Sequence, residues 1–385
     1  MRVLDGIRVL ELGALITAPL AGMMLADLGA DVIKVENPAG GDSFRAFRGK
    51  HYSPRFAAYN RNKRSIVLDL TGSEGRAALL ELVDDADVVI ENFRPGVMER
   101  LGLAHAVLHE QNRRLIHCSI TGFGAIGPYK QRPAFDAVGL AMSGIASLLL
   151  DPQRPELAGP TITDNVTGMY ACYGILGALY ERERSGVGRL VEVNMLEASI
   201  AFMPDAFANA MNAGVPVDRL TRVAASQSLA FTCGDGKLIA LQLSTQEKFW
   251  LGLLAAASPT ELASDARFQT RDGRVQNYVA LREALRSVFC AKPRAYWVAA
   301  LEANDVPFAP VHEITDVAND PQVQALGTFY EMHHPREGRM IGIRRPVRID
   351  GDRTGLERPA PGLGEHTSEI LEESRMRSTE SADKE

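Results

Sequence analysis

Ile7-Arg8-Val9-Leu10-Glu11-Leu12-Gly13, an apolar helix-favouring run over residues 18–28, and then Asp31-Val32-Ile33-Lys34-Val35-Glu36 form the stretch that decides the fold. Two short β-rich runs separated by one helix of chain make a βαβ unit with parallel strands, because the crossover brings the chain back to start in the same direction. The same alternation continues. A strand over 65–69 is followed by a helix over 71–86, with Ser73 as its cap, and then by Asp87-Val88-Val89-Ile90-Glu91-Asn92-Phe93. Further strands are expected at 114–120 and 190–195, with helices at 134–150 and 196–211. The fold class is therefore α/β, with a Rossmann-like large domain whose ligands bind beyond the carboxyl ends of the strands. That placement puts Asn92, Phe93 and Arg94, in the turn made by Arg94-Pro95-Gly96, within reach of a ligand. A dinucleotide is disfavoured, because only Gly13 and Gly22 fall where three close glycines would be needed. Gly122-Phe123-Gly124-Ala125-Ile126-Gly127 fits that pattern in letters alone, since Pro128 and Pro133 stand where the phosphate-binding helix would begin.

Beyond residue 225 the pattern changes. Residues 231–241 read as a hairpin around Asp235-Gly236, and helices dominate 246–304. We expect residues 1–224 to form the first part of the large domain, 225–325 a smaller α+β domain, and 326–385 a return to the large domain. In that return, strands at 340–343 and 347–349 complete the fold, and 374–385 forms a mobile polar tail. With 46% hydrophobic and 23% charged residues, the 385-residue chain has the balance of a globular protein that buries a sizeable core. A net charge of -6 supplies no field for nucleic acid or an anionic membrane, so neither is expected as a partner. No uncharged stretch is long enough to span a bilayer. The four cysteines are scattered without a C-x-x-C pair, and the chain starts without a leader pattern; a reduced, cytoplasmic protein is expected. His105 and His109 have ligand-like spacing but no third partner, so they read as a solvated helix face; His333-His334 likewise reads as surface, and no metal is expected. The cations of Asn60-Arg61-Asn62-Lys63-Arg64 are read either as phosphate ligands or as a solvated strand start.

Pro160-Thr161-Ile162-Thr163-Asp164-Asn165-Val166-Thr167-Gly168-Met169-Tyr170 opens a long helix that stops at Arg184-Ser185-Gly186. Val166, Met169, Tyr170, Tyr173, Leu176, Gly177 and Tyr180 share one face at 3.6-residue spacing, and the tyrosines are expected in the core. Asp164 has two readings. It is a helix cap, as Asp often is, or it is a nucleophile kept ionised by first-turn N–H groups and the helix dipole.

Several phrases together resemble the family III CoA-transferases, also called the CaiB/BaiF family, which include formyl-CoA:oxalate and carnitine CoA-transferases and α-methylacyl-CoA racemase. They are Leu28-Gly29-Ala30-Asp31-Val32-Ile33-Lys34-Val35-Glu36, Asn62-Lys63-Arg64-Ser65-Ile66, Glu91-Asn92-Phe93-Arg94-Pro95-Gly96, Thr121-Gly122-Phe123-Gly124, Thr163-Asp164, and Asp320-Pro321-Gln322-Val323-Gln324-Ala325. The resemblance covers most of the chain. It implies that Asp164 is the catalytic nucleophile, and that an acyl-CoA and a carboxylic acid are the substrates. CoA contacts are implied at Leu68, Asp69, Leu70, Thr71, Asn92, Phe93, Arg94, Arg100 and Arg132. An acyl pocket is implied at Ile16 and Thr17, next to Phe135. The resemblance also implies an interlocked homodimer and no metal or redox cofactor. Racemases of this family carry His where Phe135 stands, so proton transfer beside the thioester is disfavoured. Residues 232–237 hold two glycines instead of the oxalate enzymes' glycine-rich loop, and Ile16 replaces their glutamine. Oxalate is thus disfavoured, and family habit points to a dicarboxylate acceptor. A racemase and a non-catalytic CoA-binding module stand as alternatives.

Overall fold

The computed structural model describes residues 2–47, 52–257, 260–353, 355 and 357–382. The chain divides into two compact units. One comprises Met1–Ala146, Leu157–Pro204 and Gly327–Glu385, and the other Ser147–Glu156 and Asp205–Leu326. The second unit starts ahead of residue 225, the position where the sequence pattern changes, because the helical segments after Asp205 pack against its core: Leu220, Val223 and Ala224 all contact it.

In the first unit the strands are β1 (Arg8–Glu11), β2 (Asp31–Glu36), β3 (Arg64–Val67), β4 (Val88–Glu91), β5 (Ile116–Thr121) and β6 (Leu190–Asn194). The helices are α1 (Thr17–Asp27), α2 (Pro54–Asn60), α3 (Ser73–Asp84), α4 (Val97–Arg100), α5 (His105–Gln111), α6 (Asp136–Ser143) and α8 (Thr163–Ser185), with α9 (Met195–Ala201) following β6; α7 (Ile145–Leu149) begins in this unit and ends in the second. The six strands pair in the order β3-β2-β1-β4-β5-β6, all parallel. This is the doubly wound arrangement anticipated from the βαβ pattern. The order reverses between β1 and β4, which opens a crevice beyond their carboxyl ends. Alternate residues serve opposite layers: Val9 and Val32 pack with α1 and α8, while Leu10 and Ile33 pack with Leu79 and Leu82 of α3.

The central helix corrects one expectation. Its core face is Val166, Ala171, Cys172, Ile175, Ala178 and Leu179. Tyr173 and Tyr180 instead stand 74% and 69% exposed. Small residues share this face with aliphatic ones, and α1 crosses α8 closely: a Cβ added at Gly168 would lie 2.7 Å from the Thr17 carbonyl oxygen.

The cations before β3 are neither solvated nor free for phosphate. Lys63 Nζ lies 2.6 Å from Glu11 Oε2 and donates to the Pro19 carbonyl and to Asn60 Oδ1. Lys34 Nζ bridges Glu11, Asp42 and the Gly13 carbonyl. Arg64 pairs with Asp31, Glu369 and Glu373. A buried ion stripped of its partner costs about 3–5 kcal/mol, so this network is costly to break and fixes the loop that follows β1.

The C-terminal return also differs from expectation. Phe329–His334 (β10) and Gly338–Ile343 (β11) pair only with each other and do not extend the parallel sheet, and 347–349 contributes only an isolated bridge between Ile349 and Asp352. Residues 374–382 are not a loose tail. They continue the helix Thr367–Ala382, whose Ile370 is buried beside α3. The expectation for 383–385 lies outside the described residues.

The second unit is built on the antiparallel sheet β7 (Ser228–Thr232), β8 (Leu238–Gln242) and β9 (Phe308–Pro310). Gly236 takes φ 77° in its hairpin turn, and Phe231, Phe289 and Trp297 stack in its core. Among the described residues no helix is long and apolar enough to cross a membrane.

Candidate active site

Asp164 lies in the first turn of α8 and lines a cavity of about 210 Å³. The chain beyond four strands meets there: Leu15, Ile16 and Thr17 after β1, Asn92 to Pro95 after β4, Thr121 at the end of β5 with Gly122 after it, and Met195 after β6. The crevice of the sheet and the first turn of the central helix thus converge on one carboxylate.

That carboxylate is not the helix cap. The cap is Asp136, at the start of α6. Its Oδ1 accepts hydrogen bonds from the backbone N–H groups of Ile162 (2.9 Å), Thr163 (2.8 Å) and Asp164 (3.3 Å), and from the Thr163 hydroxyl (3.0 Å). First-turn donors expected to hold Asp164 ionised are spent on another residue. Burial, and after it the Asp136 charge, push the Asp164 carboxyl up to about 6. This reverses the expected direction. The result is a more basic carboxylate that still ionises at neutral pH, a combination that suits a nucleophile.

Asn92 braces the loop opposite. Its Oδ1 accepts from the Ala14 N–H (3.0 Å), and its Nδ2 donates to the Ala14 carbonyl (2.8 Å) and to Thr17 Oγ1 (3.0 Å). Leu15 is held at φ 68°, with its N–H donating to Asp42 Oδ1. A non-glycine residue in this region is strained by roughly 1–3 kcal/mol, and the clamp holds it there. Ile16, Thr17, Phe93, Arg94, Arg132 and Phe135 all line the cavity, as does Lys130, which the sequence reading passed over. The Arg132 guanidinium lies over the Tyr129 ring.

Other expected contacts lie elsewhere. Leu68, Asp69, Leu70 and Thr71 follow β3, and β2 and β1 separate that strand from the crevice. Asp69 closes a local turn by accepting from Thr71 N–H and Oγ1. Arg100, on α4, lies beside Gly96. Neither group lines the Asp164 cavity. Two further residues went unread in the sequence: Asp136 as the cap, and Tyr59, whose hydroxyl donates to Asn165 Oδ1 beside Asp164. The signal for Asp136 was an Asp standing directly before an apolar helical run. Its partners 26–28 residues away left no local trace.

A second cavity of about 330 Å³ is lined by Glu91, His105, His117, Ser119 and Glu192. Here the solvated reading of His105 and His109 is corrected: both are half-buried, and the His105 ring stacks on His109 and on His117. His117 is 3% exposed and makes no hydrogen bond through either ring nitrogen. Burial, followed by His105, lowers His117 to about 4, whereas burial raises Glu91 to about 7. His334 is buried, its ring tilted against that of Tyr52, and it accepts from the Arg336 and Glu337 N–H groups. Among the described residues no cluster of His, Cys, Asp and Glu is arranged to hold a metal ion.

A doubly wound parallel sheet with a half-buried carboxylate at its crevice is the architecture of an α/β enzyme. The chain belongs to CoA-transferase family III, whose family model matches residues 4–367. It is 37% identical over 384 residues to the succinate–glutarate CoA-transferase of Agrobacterium fabrum, covering 96% of this chain and 95% of that one. Against the mouse succinyl-CoA:glutarate CoA-transferase it is 33% identical over 382 residues, covering 97% of this chain and 86% of the relative. The crystal structure of a CAIB/BAIF family protein from Brucella suis superposes with a TM-score of 0.85 at 34% identity, covering 96% of this chain and 99% of the other.

Proposed function

We propose that this enzyme moves CoA reversibly between an acyl-CoA and a carboxylic acid, with Asp164 as the covalent nucleophile. The Asp164 carboxylate attacks the thioester carbonyl, the C–S bond breaks, and a mixed anhydride forms as CoA thiolate departs. The thiolate then attacks the Asp164 carbonyl, giving an aspartyl-CoA thioester and releasing the donor acid. The acceptor carboxylate attacks that thioester to make a second mixed anhydride. Finally the returning thiolate takes the acceptor acyl group and regenerates Asp164. Every step is polar, and neither redox nor metal chemistry is required. The observation that carries this reading is the Asp164 carboxylate itself: it faces a cavity, is relieved of capping by Asp136, and is made more basic by burial.

Arg94, Lys130 and Arg132 on the same cavity suit the phosphates and developing thiolate of CoA. Phe93 and the Asn92-braced loop would guide its pantetheine arm, and Leu68 to Thr71 with Arg100 would serve its more distant parts. Ile16 and Phe135 give the cavity an apolar wall suited to a methylene chain. The relatives named for succinate and glutarate support a dicarboxylic acceptor. Phe135 has no ionisable group, so the acid–base partner that racemisation needs is missing at this position. We further propose that the working form is a homodimer, which the exposed apolar face of α8 supports.

The test is a panel of acyl-CoA donors and acids followed by mass spectrometry. Wild type should acquire a donor-dependent acyl adduct on Asp164 and produce the acceptor thioester; Asp164→Ala should lose the adduct and at least ~10³-fold of the turnover. Because only the anion attacks, acylation should slow about tenfold per pH unit below about 6. Transfer by the alanine variant at the wild-type rate would exclude the mechanism.

A further inference from the structure

Two carboxylates, Asp136 and Asp164, meet at the first turn of α8 and have divided its work. The Asp136 oxygen that accepts from three successive N–H groups and from the Thr163 hydroxyl is locked in place by those donors. Asp164 lines the cavity instead. Nearby, Tyr59 of α2 gives its hydroxyl to Asn165, and Thr17 of α1 accepts with its hydroxyl from Asn92. The cations on this cavity, Arg94, Lys130 and Arg132, belong to the loops after β4 and before α6.

We infer that Asp136 is a positioning residue for the acylation of Asp164: it caps the helix in Asp164's place, and its fixed negative charge favours every state in which Asp164 is neutralised, the acylated state included. The inference rests on the reading of Asp164 as nucleophile. Like charges that share a site destabilise the doubly ionised state, and that destabilisation is relieved by a covalent bond as it is by a proton. When the Asp164 oxygen bonds to the acyl carbon and the C–S bond breaks, the negative charge passes from Asp164 to the departing sulfur. It thereby moves away from Asp136, and the three cations lining the cavity are placed to receive it. Burial raises the Asp164 carboxyl most, and this repulsion adds to it, so the free carboxylate is more basic. A cap provided by Asp164 itself would have had the opposite effect, since backbone donors stabilise the anion and blunt its nucleophilicity.

The experiment is a carboxyl-carbon NMR titration of the full chain labelled in its aspartates, with the Asp164 signal identified by its loss in Asp164→Asn. Asp136→Asn keeps an oxygen able to accept from the helix N–H groups but removes the charge, and Asp136→Glu keeps the charge. The Asp164 midpoint should fall by about one pH unit in Asp136→Asn, a tenfold change in the acid constant, and stay raised in Asp136→Glu. With limiting acyl-CoA, the fraction of chain acylated, read by mass spectrometry, should fall roughly tenfold in Asp136→Asn and recover in Asp136→Glu. A midpoint unchanged by Asp136→Asn in a folded protein would overturn the inference. If Asp136→Asn does not fold, a midpoint in Asp136→Glu that drops to the ordinary aspartate range would overturn it equally. The titration needs no substrate, so a wild-type chain that is never acylated would count against the nucleophile reading, and not against the electrostatic coupling.

Discussion

Glu91 and His117 face each other across 3.9 Å in the second cavity, and burial has pushed both towards their uncharged forms. The consequences for stability have opposite signs. Glu91, raised to about 7, holds its proton in the folded chain where the unfolded chain has released it; its contribution is full below about 4.5 and is lost as pH rises through about 7. His117, lowered to about 4, stays neutral where the unfolded chain takes up a proton; its contribution is present above about 6.5 and is lost as pH falls through about 4. Between those limits the two slopes offset each other. Glu91→Gln should therefore gain on wild type as pH rises from about 4.5 to about 7, by up to roughly 3 kcal/mol, and His117→Gln should gain on it as pH falls from about 6.5 to about 4 by a similar amount. Denaturant unfolding at a series of pH values measures both, and two variants that run parallel to wild type would refute the assignment. None of this was legible in the sequence. His105 and His109 announced only their own spacing, while His117 arrives from a strand. Asp164 could be singled out from its place before a periodic run, yet the direction of its shift could not, because that depends on a cap supplied by another helix.

The helix that carries Asp164 shows which sequence signals speak for packing. Its Met169, Tyr173 and Tyr180 repeat at the helical period, but so do Ala171, Cys172, Ile175, Ala178 and Leu179, and it is this second set that reaches the core. Two helices that approach closely need small side chains at the crossing, so the conspicuous aromatic stripe pointed the wrong way. The strands were easier to read, because a run buried on both faces is nearly all apolar whatever packs on it. Gly168 marks the crossing. Gly168→Ala would place a methyl group 2.7 Å from the Thr17 carbonyl oxygen and 3.0 Å from the Leu20 side chain, and backbone cannot swing aside as a side-chain tip can. We expect a loss of about 1–3 kcal/mol in stability. Thr17 and Asp164 line the same cavity, so acylation should slow as well. Thermal melts together with the initial rate of adduct formation check both, and a variant as stable and as fast as wild type would show that the helices are free to separate there.

At the scale of the whole molecule, the parallel sheet was anticipated from its βαβ units, whereas the closure of the chain was not. Arg8 and Arg64 bind Glu373, more than 300 residues away in sequence, and so tie the first and third strands to the last helix. Such a contact leaves no periodic trace in either segment. The outward face of α8 poses a different question. Met169, Tyr173 and Tyr180 are 55%, 74% and 69% exposed, and Phe202 just after α9 is 55% exposed. These large apolar side chains, set in a row along α8 with water on them, are the basis of the dimer face proposed above. A second copy of the chain is the partner implied by the resemblance to family III enzymes. Sedimentation should accordingly find a dimer in wild type. Tyr173→Glu with Tyr180→Glu should shift it to monomer with an unchanged circular dichroism spectrum, because charges set into an apolar interface disfavour its burial while leaving the helix's own core face untouched. A wild-type monomer at micromolar concentration, or a doubly substituted chain that still sediments as a dimer, would remove this face from the assembly.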